Sequence, residues 1–226
     1  MEKYFKYLDD YCQYDYSSFA KEHKSRAHTF KYIFDNMREK ENPIVIELGS
    51  MRSYTHGGMK SCMNPDTKYW EPDNPSIWDW SAGCGTRILA EIPNVTLHTI
   101  DIIQRHIDIA KIITKDFNVQ YHVQDSREFL RNFDGQCDLI YEDCGDMSPL
   151  EPTARLQEEN AKIIVERELI KIDGFILIDD TKNPVPIVQF GERSRYGKAK
   201  YSIGIYLANG FEIIYNEYQT VLKRLG

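Results

Sequence analysis

The sequence predicts an α/β fold in which a parallel sheet carries helices on both faces and ends in a C-terminal antiparallel hairpin. From residue 43 onwards, short apolar runs alternate with helical stretches, as in consecutive βαβ units. The strand-like runs are apolar on both faces, which is typical of buried parallel strands. Near the C-terminus, two further strand-like runs flank Asn209-Gly210, a dipeptide that favours hairpin turns.

Residues 1–42 are predicted to form an N-terminal helical cap. Their hydrophobic and aromatic residues recur every three or four positions, as on one face of an amphipathic helix. The residues concerned are Phe19, His23, Phe30, Ile33, Phe34 and Met37. A substrate lid or a dimer contact would show the same pattern, so a homodimer is left open.

Residues 43–226 form the second predicted domain, which contains the sheet. Its predicted strands are 44–48, 95–100, 119–123, 137–142 and 174–179, and its predicted helices are 86–92, 103–117, 126–132 and 153–172. Asp173-Gly174 is expected to end the last helix, since glycine commonly follows a final helical turn. The hairpin is expected to pair residues 201–207 with residues 211–215.

Residues 51–81 interrupt this alternation. They are rich in Pro, Trp, Asn, Ser and Gly and show no periodicity. A connection of about 30 residues without regular structure is rare in a compact domain and is usually functional. Its tryptophans, Trp70, Trp78 and Trp80, either stack on a ligand as a lid or pack a small core under the loop.

The composition is that of a soluble globular protein. The chain has 226 residues, a net charge of −7 and 42% hydrophobic residues, which fits one well-cored domain. The acidic balance argues against a general electrostatic grip on nucleic acid. No apolar run approaches the roughly 20 residues that a membrane span needs. The five cysteines are scattered without a Cys-x-x-Cys pair, so we expect reduced thiols and a cytoplasmic protein.

Polar residues follow each of the five predicted parallel strands. Ligands of open α/β sheets bind beyond the carboxyl ends of the strands, near the point where the strand order reverses. In chain order, the groups are Glu47-Leu48-Gly49-Ser50, Asp101, Asp125-Ser126, Glu142-Asp143-Cys144-Gly145-Asp146 and Asp179-Asp180. A single acidic strand end is as often a helix cap as a ligand, but five at one edge indicate a binding site.

The segment Ile46-Glu47-Leu48-Gly49-Ser50, with five parallel strands and a hairpin after it, resembles the class I S-adenosylmethionine-dependent methyltransferases. The resemblance spans residues 43 to about 220 and implies a Rossmann-like fold. It implies that Glu47, Gly49 and Ser50 lie beside the methionyl part of the cofactor, S-adenosyl-L-methionine. Asp101 would bind the ribose hydroxyls, because a carboxylate can accept hydrogen bonds from both of them.

The resemblance also implies that Asp125 and Ser126 flank the adenine and that Ile102 belongs to the same cofactor pocket. In this family the first glycine-rich loop runs directly into a helix. Here the insertion separates that loop from a second glycine cluster, Ser81-Ala82-Gly83-Cys84-Gly85-Thr86, which we interpret as its continuation. Gly83 is therefore a further predicted cofactor contact.

Three carboxylates, those of Asp143, Asp179 and Asp180, are predicted to meet at one edge of the sheet. Such oxygen ligands suit a hard divalent cation such as Mg²⁺ or Mn²⁺. The arrangement resembles that of metal-dependent O-methyltransferases, including those that act on sugar hydroxyls. It implies that the ion positions the substrate oxygens, with Asp143 as our candidate for the catalytic proton acceptor. Asp146 could replace Asp143 as a ligand, and Asp179-Asp180 could instead cap a turn.

A basic group precedes the predicted hairpin and consists of Lys182, Arg193, Arg195, Lys198 and Lys200. Positive charge beside the site would suit a phosphate or diphosphate of the substrate. A solvated surface would show the same run of charges.

Among the six histidines, only His56 lies in a loop where a catalytic base or a substrate ligand would fit. His98 and His122 fall in predicted strands and are expected to be packed. His106 follows Asp101 on the next predicted helix and is expected near the cofactor pocket.

Together these features predict a cytoplasmic methyltransferase that transfers a methyl group from S-adenosyl-L-methionine to a hydroxyl of a carbohydrate. A nucleotide-linked sugar and a divalent cation complete this prediction, and no nucleic-acid or membrane partner is expected. A metal-independent small-molecule methyltransferase is the first alternative. The second is an NAD-dependent oxidoreductase or nucleotide-binding module, although the first turn lacks a compact Gly-x-Gly-x-x-Gly. The third is a non-catalytic interaction protein.

Overall fold

The computed structural model describes residues 1–15, 26–54, 70–80, 84–146, 149–181 and 197–226. Within these ranges the helices are α1 Glu2–Asp15, α2 Arg26–Met37, α3 Gly85–Ala90, α4 Gln104–Ile113, α5 Ser126–Asn132, α6 Leu150–Glu166 and α7 Ser202–Ala208. The strands are β1 Ile44–Leu48, β2 Thr96–Asp101, β3 Val119–Val123, β4 Cys137–Glu142, β5 Ile170–Ile178, β6 Phe211–Asn216 and β7 Thr220–Arg224. None of these helices combines the length and the apolar composition that crossing a membrane requires.

The strands form one seven-stranded sheet in the order β3-β2-β1-β4-β5-β7-β6. Strands β1 to β5 pair in parallel, whereas β7 runs antiparallel to both β5 and β6. The predicted parallel sheet with a C-terminal antiparallel hairpin is therefore confirmed. The strand order reverses between β1 and β4, so the ligand crevice of such a sheet lies at their carboxyl ends.

Helices cover both faces of the sheet because the side chains of each strand alternate between two cores. Val45 on β1 points into a core that it shares with α1, α2, α3 and α4. Its neighbour Ile46 points into a second core that includes α5, α6 and α7. The same alternation continues on β4, where Leu139 belongs to the first core and Ile140 to the second.

Helix α2 packs directly against the sheet. Its buried face includes the predicted apolar residues Phe30, Ile33, Phe34 and Met37. The ring of Phe30 lies 5.4 Å from the ring of Tyr141 on β4. This packing brings Arg26, the first residue of α2, to the carboxyl edge of the sheet.

The predicted strand 201–207 is wrong, because this segment forms helix α7. Its buried residues Ser202, Ile203 and Tyr206 share one helical face, and this packing overrides the strand preference of isoleucine and tyrosine. Asn209-Gly210 ends the helix, with Gly210 at a φ of +81°. The hairpin forms later, between β6 and β7.

The predicted end of the long helix at Asp173-Gly174 is also wrong. Helix α6 ends at Glu166, and Glu168 takes the left-handed conformation, with a φ of +51°, that a glycine commonly supplies there. Strand β5 begins at Ile170, so Gly174 lies inside it. The prediction looked for a glycine after the last turn of the helix, and Glu168 takes that position instead, so the sequence does not mark the true end of α6.

The tryptophans of the insertion pack a small core. Trp78 and Trp80 are buried, and their rings lie 5.1 Å and 6.0 Å from that of Tyr4 on α1. The ring of Trp70 lies 4.7 Å from that of Trp78. None of the three tryptophans lines the cavity described below. The interpretation that they pack a small core is therefore confirmed, and the interpretation that they stack on a ligand as a lid is not.

Candidate active site

A cavity of about 750 Å³ lies at the carboxyl ends of β1, β2, β4 and β5. Its volume is within the range of small-molecule pockets, about 300–1,000 Å³. It brings together ten of the predicted site residues, namely Glu47, Gly49, Ser50, Asp101, Ile102, Asp125, Ser126, Asp143, Asp179 and Asp180. The other two, Gly83 and His56, lie outside the described residues.

Asp101, the last residue of β2, is held in place by three donors. Its Oδ2 accepts hydrogen bonds from the backbone N–H of Ser50, at 3.1 Å, and from His106 Nδ1, at 3.0 Å. Its Oδ1 accepts one from the backbone N–H of Ile103, at 2.8 Å. Each carboxylate oxygen can accept two hydrogen bonds, so Oδ1 keeps a lone pair for a ligand hydroxyl. The prediction that His106 lies near the pocket is confirmed.

Two side chains beside Asp101 show features of a ligand site. The Oγ atom of Ser50 is buried and has no hydrogen-bond partner among the described residues, and a buried orphan hydroxyl calls for an explanation. Ile102 is 69% exposed although it lines the cavity. A bound ligand with a flat apolar group would cover Ile102.

Glu47 lies on the floor of the cavity and is buried. Its Oε1 accepts a hydrogen bond from Thr86 Oγ1 at 2.9 Å, and its Oε2 accepts one from Thr99 Oγ1 at 2.6 Å. Burial raises the pKa of Glu47 to about 8, against the effect of these hydrogen bonds. Glu47 thereby ties β1 to β2 and to the start of α3.

Gly49 follows β1 with a φ of +93°. A Cβ atom at this position would lie 2.7 Å from the carbonyl carbon and oxygen of Asp143 and 2.8 Å from the backbone nitrogen of Cys144. Glycine is therefore needed here so that the loops after β1 and β4 can touch. This contact places Asp143 next to the predicted cofactor residues.

Asp125 and Ser126 line the cavity, but their polar atoms bind the protein. Asp125 caps α5 by accepting a hydrogen bond from the backbone N–H of Arg127 at 2.8 Å. The guanidinium of Arg127 also contacts both carboxylate oxygens, and together these contacts lower the pKa of Asp125 to about 2. Ser126 Oγ donates to Asn160 Oδ1 at 3.1 Å.

The predicted acidic cluster is present at the other end of the cavity. Oxygen atoms of Asp143, Asp179 and Asp180 all lie within 4.8 Å of one another. Lys198 Nζ lies 2.9 Å from Asp143 Oδ1 and 2.9 Å from Asp180 Oδ2. Despite its burial, these carboxylates raise the pKa of Lys198, so it carries an ammonium charge.

Asp179 is fully buried and forms an ion pair with a second cation, Arg26. Arg26 Nε donates to its Oδ1 at 2.9 Å, and Arg26 Nη2 donates to its Oδ2 at 2.7 Å. Gln219 Nε2, at the end of the β6–β7 turn, donates to the same Oδ1 at 2.8 Å. Because an arginine fork and an amide already use three of its four lone-pair sites, Asp179 is a poor ligand for a metal ion.

Asp180 is paired on both sides. Besides Lys198, it contacts Arg26 Nη2 at 3.4 Å, and Tyr218 donates its hydroxyl hydrogen to Asp180 Oδ1 at 2.5 Å. Burial would raise the pKa of Asp180, but Lys198 and Arg26 hold it below its ordinary value. The chain's own cations therefore neutralise the set of oxygens predicted to hold a divalent ion, and this set does not fit such an ion.

Asp143 is the least restrained member of the cluster. Its side chain is 26% exposed, and its Oδ2 accepts only one hydrogen bond among the described residues, from the Tyr141 hydroxyl at 3.3 Å. Burial, together with the negative charges of Asp179 and Asp180, raises the pKa of Asp143 to about 7 against the opposing charge of Lys198. A carboxylate with such a pKa is suited to general base catalysis near neutral pH.

Arg26 was not among the predicted site residues. It lies in the cap, far from any strand end in sequence, and gave no signal beyond its charge. Lys198 was predicted as part of an anion-binding group, but it binds Asp143 and Asp180, and Lys200 binds Glu151 at 3.1 Å. The anion-binding interpretation is therefore wrong for these two lysines, and Lys182, Arg193 and Arg195 lie outside the described residues.

His98 and His122 form a packed pair, as expected. The atoms His98 Nδ1 and His122 Nε2 lie 3.2 Å apart. The His122 ring lies 4.7 Å from Phe129, and the His98 ring lies 5.3 Å from Phe133. Burial lowers the pKa of both histidines, and neither of them lines the cavity.

No protein-family model and no curated protein matches the sequence. Several solved structures resemble the fold. The SAH-bound methyltransferase PaMTH1 from Podospora anserina aligns with a TM-score of 0.54 at 12% identity, over 98% of this chain and 94% of its own. The O-methyltransferase TomG from Streptomyces achromogenes, in complex with SAM, gives 0.53 at 12% identity over 98% and 90%. The N-methyltransferase NodS from Bradyrhizobium japonicum, in complex with SAH, gives 0.51 at 15% identity over 98% of both chains.

The fold is therefore the Rossmann-like fold of S-adenosylmethionine-dependent methyltransferases. At 12–15% identity the likeness extends to the fold alone. The similar structures include both an O-methyltransferase and an N-methyltransferase. The acceptor chemistry of this chain therefore depends on its own side chains.

Proposed function

We propose that the protein is an S-adenosylmethionine-dependent methyltransferase that methylates a hydroxyl oxygen of a small, polar molecule. One observation carries this proposal: a single cavity joins the preorganised carboxylate of Asp101 to the partly exposed carboxylate of Asp143. The carboxylate of Asp101 suits a ribose, and that of Asp143 suits the proton that an acceptor hydroxyl loses. Such a joint cavity is what a two-substrate transfer reaction requires.

The cofactor half of the cavity fits the predicted ligand. Asp101 Oδ1 would accept a hydrogen bond from a ribose hydroxyl, Ser50 Oγ would gain the partner that it lacks, and Ile102 would pack against the adenine. The described lining has seven Asp and Glu side chains against four Lys and Arg side chains, and this acidic balance favours a cationic ligand. When bound, S-adenosylmethionine supplies a methyl group on a positively charged sulfur, which keeps the bonding electron pair after transfer.

On the acceptor side, Asp143 would take the proton that the hydroxyl loses. Its raised pKa of about 7 lets the carboxylate hold that proton better than an ordinary aspartate does. The cavity lining includes the apolar residue Leu156 and the hydrogen-bonding groups of Asp143, Asp180 and Lys198. A lining of this kind suits an acceptor with several hydroxyls, and we therefore propose a sugar.

The acceptor is proposed without a nucleotide. The nucleotide-linked form of the prediction depended on free basic residues beside the site. Lys198 and Lys200 are instead paired with carboxylates. We likewise favour the metal-independent alternative, since Lys198 and Arg26 neutralise the carboxylates that were predicted to hold a divalent cation.

Calorimetry with S-adenosylmethionine and with NAD, each titrated into the wild-type protein, tests the cofactor. We expect heat of binding with S-adenosylmethionine and none with NAD. Binding of NAD alone would replace the proposal by the oxidoreductase alternative, and binding of neither would favour an interaction protein.

Transfer of a labelled methyl group tests the acceptor. The wild-type protein is incubated with methyl-labelled S-adenosylmethionine and a panel of free sugars, small phenols and small amines, with and without a chelator. We expect label on a sugar oxygen at a rate that the chelator leaves unchanged. Label on an amine nitrogen alone would contradict the O-methylation proposal.

A further inference from the structure

We propose that Lys198 is the resident cation of the acceptor site, in the position that a divalent metal ion would otherwise take. Its ammonium group would bridge Asp143 and Asp180 and donate a hydrogen bond to the acceptor oxygen. This role of Lys198 rests on the proposed function for the identity of the acceptor, but the cation position itself can be tested without any acceptor.

The geometry of Lys198 supports this role. Its Nζ lies 2.9 Å from one oxygen of each of the two carboxylates, so a metal ion bound between them would meet the ammonium at close range. The side chain is only 4% exposed, and burial of this kind limits the water that could screen the repulsion between the two cations. Lysine and metal ion therefore exclude each other at this position.

The hydrogen-bonding capacity of Lys198 points to a ligand. An ammonium group has three N–H donors, and two of them are directed to Asp143 and Asp180. The third has no partner among the described residues, while Lys198 lines the cavity. A hydroxyl oxygen of the acceptor would satisfy it.

The chemistry of the transfer needs a donor at this point. As the acceptor oxygen attacks the methyl carbon, its proton passes to the carboxylate of Asp143, and the carbon–sulfur electron pair moves to sulfur. Negative charge grows on the acceptor oxygen if the proton leaves early, and a fixed ammonium stabilises such a charge. Lys198 holds Asp143 by the same contact, so one side chain positions the base and supports the oxygen.

The three carboxylates of the cluster share two cations of the chain, so a single ammonium group, that of Lys198, is needed beside Arg26. The third carboxylate of the cluster, Asp179, is already neutralised by the bidentate contact with Arg26. Asp143 and Asp180 both contact Lys198, and Asp180 also lies 3.4 Å from Arg26 Nη2. Arg26 and Lys198 together bring two positive charges to the three carboxylates, the same charge that one divalent ion would bring.

Binding of Mn²⁺, followed by electron paramagnetic resonance of the free ion, tests the cation position. We expect no binding to the wild type up to about 1 mM, the weak end of protein sites for such ions. Replacing the ammonium by a neutral chain of similar length, in Lys198→Met, should strengthen Mn²⁺ binding at least tenfold, by about 1.4 kcal/mol or more. The double variant Lys198→Met/Asp143→Asn should lose this gain.

The matched control is Lys200→Met, two residues further along, which contacts Glu151 away from the cluster. It should bind Mn²⁺ no better than the wild type. Tight Mn²⁺ binding by the wild type that Asp143→Asn abolishes would overturn the proposal, and so would a folded Lys198→Met variant without any gain. If Lys198→Met melts below the assay temperature, Lys198→Gln replaces it, and the wild-type titration still decides.

Calorimetry separates this inference from the proposed function. Lys198→Met should bind S-adenosylmethionine within about threefold of the wild type, because Lys198 lies at the acceptor end of the cavity, but kcat should fall about 100-fold. Lys198→Arg should recover part of kcat. If the wild type binds no S-adenosylmethionine, the proposed function fails, whereas the Mn²⁺ result for Lys198 stands on its own. If kcat is unchanged in Lys198→Met, the proposed hydrogen bond from Lys198 to the acceptor oxygen is wrong.

Discussion

Arg26 and Asp179 form a bidentate ion pair between residues that are 153 positions apart in the sequence, with N–O distances of 2.9 Å and 2.7 Å. Both side chains are buried, at 10% and 0% exposure. The pair joins the first residue of α2 to the end of β5. The N-terminal helices and the sheet therefore both contribute residues to the cavity, and this ion pair links them.

The first prediction concerns this ion pair. Arg26→Met should lower the free energy of unfolding by about 3–5 kcal/mol, because it leaves Asp179 as an uncompensated buried charge. Adding Asp179→Asn should restore part of the loss. The matched control is Arg38→Met, directly after α2, which loses surface pairs with Asp35 and Glu39 and should cost at most about 1 kcal/mol. Urea unfolding of the four proteins measures these values, and equal losses for Arg26 and Arg38 would contradict the prediction.

The second prediction concerns the ribose contact. Asp101→Asn should weaken the binding of S-adenosylmethionine roughly 10-fold to 150-fold, because hydrogen bonds to a charged group contribute about 1.5–3 kcal/mol. Asp108→Asn on the following helix, α4, is the control, since Asp108 is 41% exposed and, among the described residues, pairs with Gln104 and Lys111. Calorimetry gives both dissociation constants. An unchanged constant for Asp101→Asn would exclude Asp101 as a ribose ligand.

The third prediction separates backbone strain from close packing at two glycines. Gly49→Ala and Gly210→Ala both place an alanine at positive φ, at +93° and +81°, which costs about 1–2 kcal/mol. Only Gly49 has backbone atoms within 2.7 Å of the added carbon, whereas nothing lies within 4 Å at Gly210. Thermal unfolding should therefore show a larger loss for Gly49→Ala. Equal losses would mean that the loops after β1 and β4 do not touch in solution.

The fourth prediction concerns pH. Burial raises the pKa of Glu142 to about 8, while the Tyr206 hydroxyl, at 2.8 Å, opposes this shift. Between pH 4.5, the ordinary value, and pH 8, folded Glu142 keeps a proton that the unfolded chain releases. Raising the pH through this window therefore destabilises the folded state, by at most about 1.4 kcal/mol per pH unit.

Glu142→Gln removes this titration and keeps an acceptor for Tyr206. Urea unfolding at several pH values should show that its stability falls less steeply with rising pH than that of the wild type. The comparison isolates Glu142, since Glu47 titrates in both proteins. Parallel pH curves for the two proteins would show that Glu142 is ionised in the folded state.

Several residues that line the cavity could be predicted from the sequence because each lies at the carboxyl end of a buried strand. Parallel strands bring their carboxyl ends to one edge, so Glu47, Ser50, Asp101 and Asp143 meet through the fold alone. The register of the strands, and hence this edge, is encoded locally in short apolar runs. Local patterns sufficed wherever the sheet itself positions the side chain.

The partners of the acidic cluster could not be predicted in the same way. Arg26, Tyr218 and Gln219 reach it from a helix before the sheet and from the β6–β7 turn, and nothing in their local sequence marks them. Helix α7 failed for a related reason: its isoleucines and tyrosines favour a strand, and only packing against α6 and β4 decides for a helix. Contacts between distant elements carry this information, and single-sequence patterns do not contain it.

The position of β7 has a consequence for the synthesis of this protein. Strand β7 is synthesised after β5 and β6, yet it lies between them in the sheet, and the turn before it supplies Tyr218 and Gln219 to Asp180 and Asp179. A nascent chain that stops at residue 215 has Arg26 and both aspartates but lacks these two partners. The acidic cluster therefore gains these two hydrogen bonds only after β6 has been synthesised, and a shorter nascent chain lacks them.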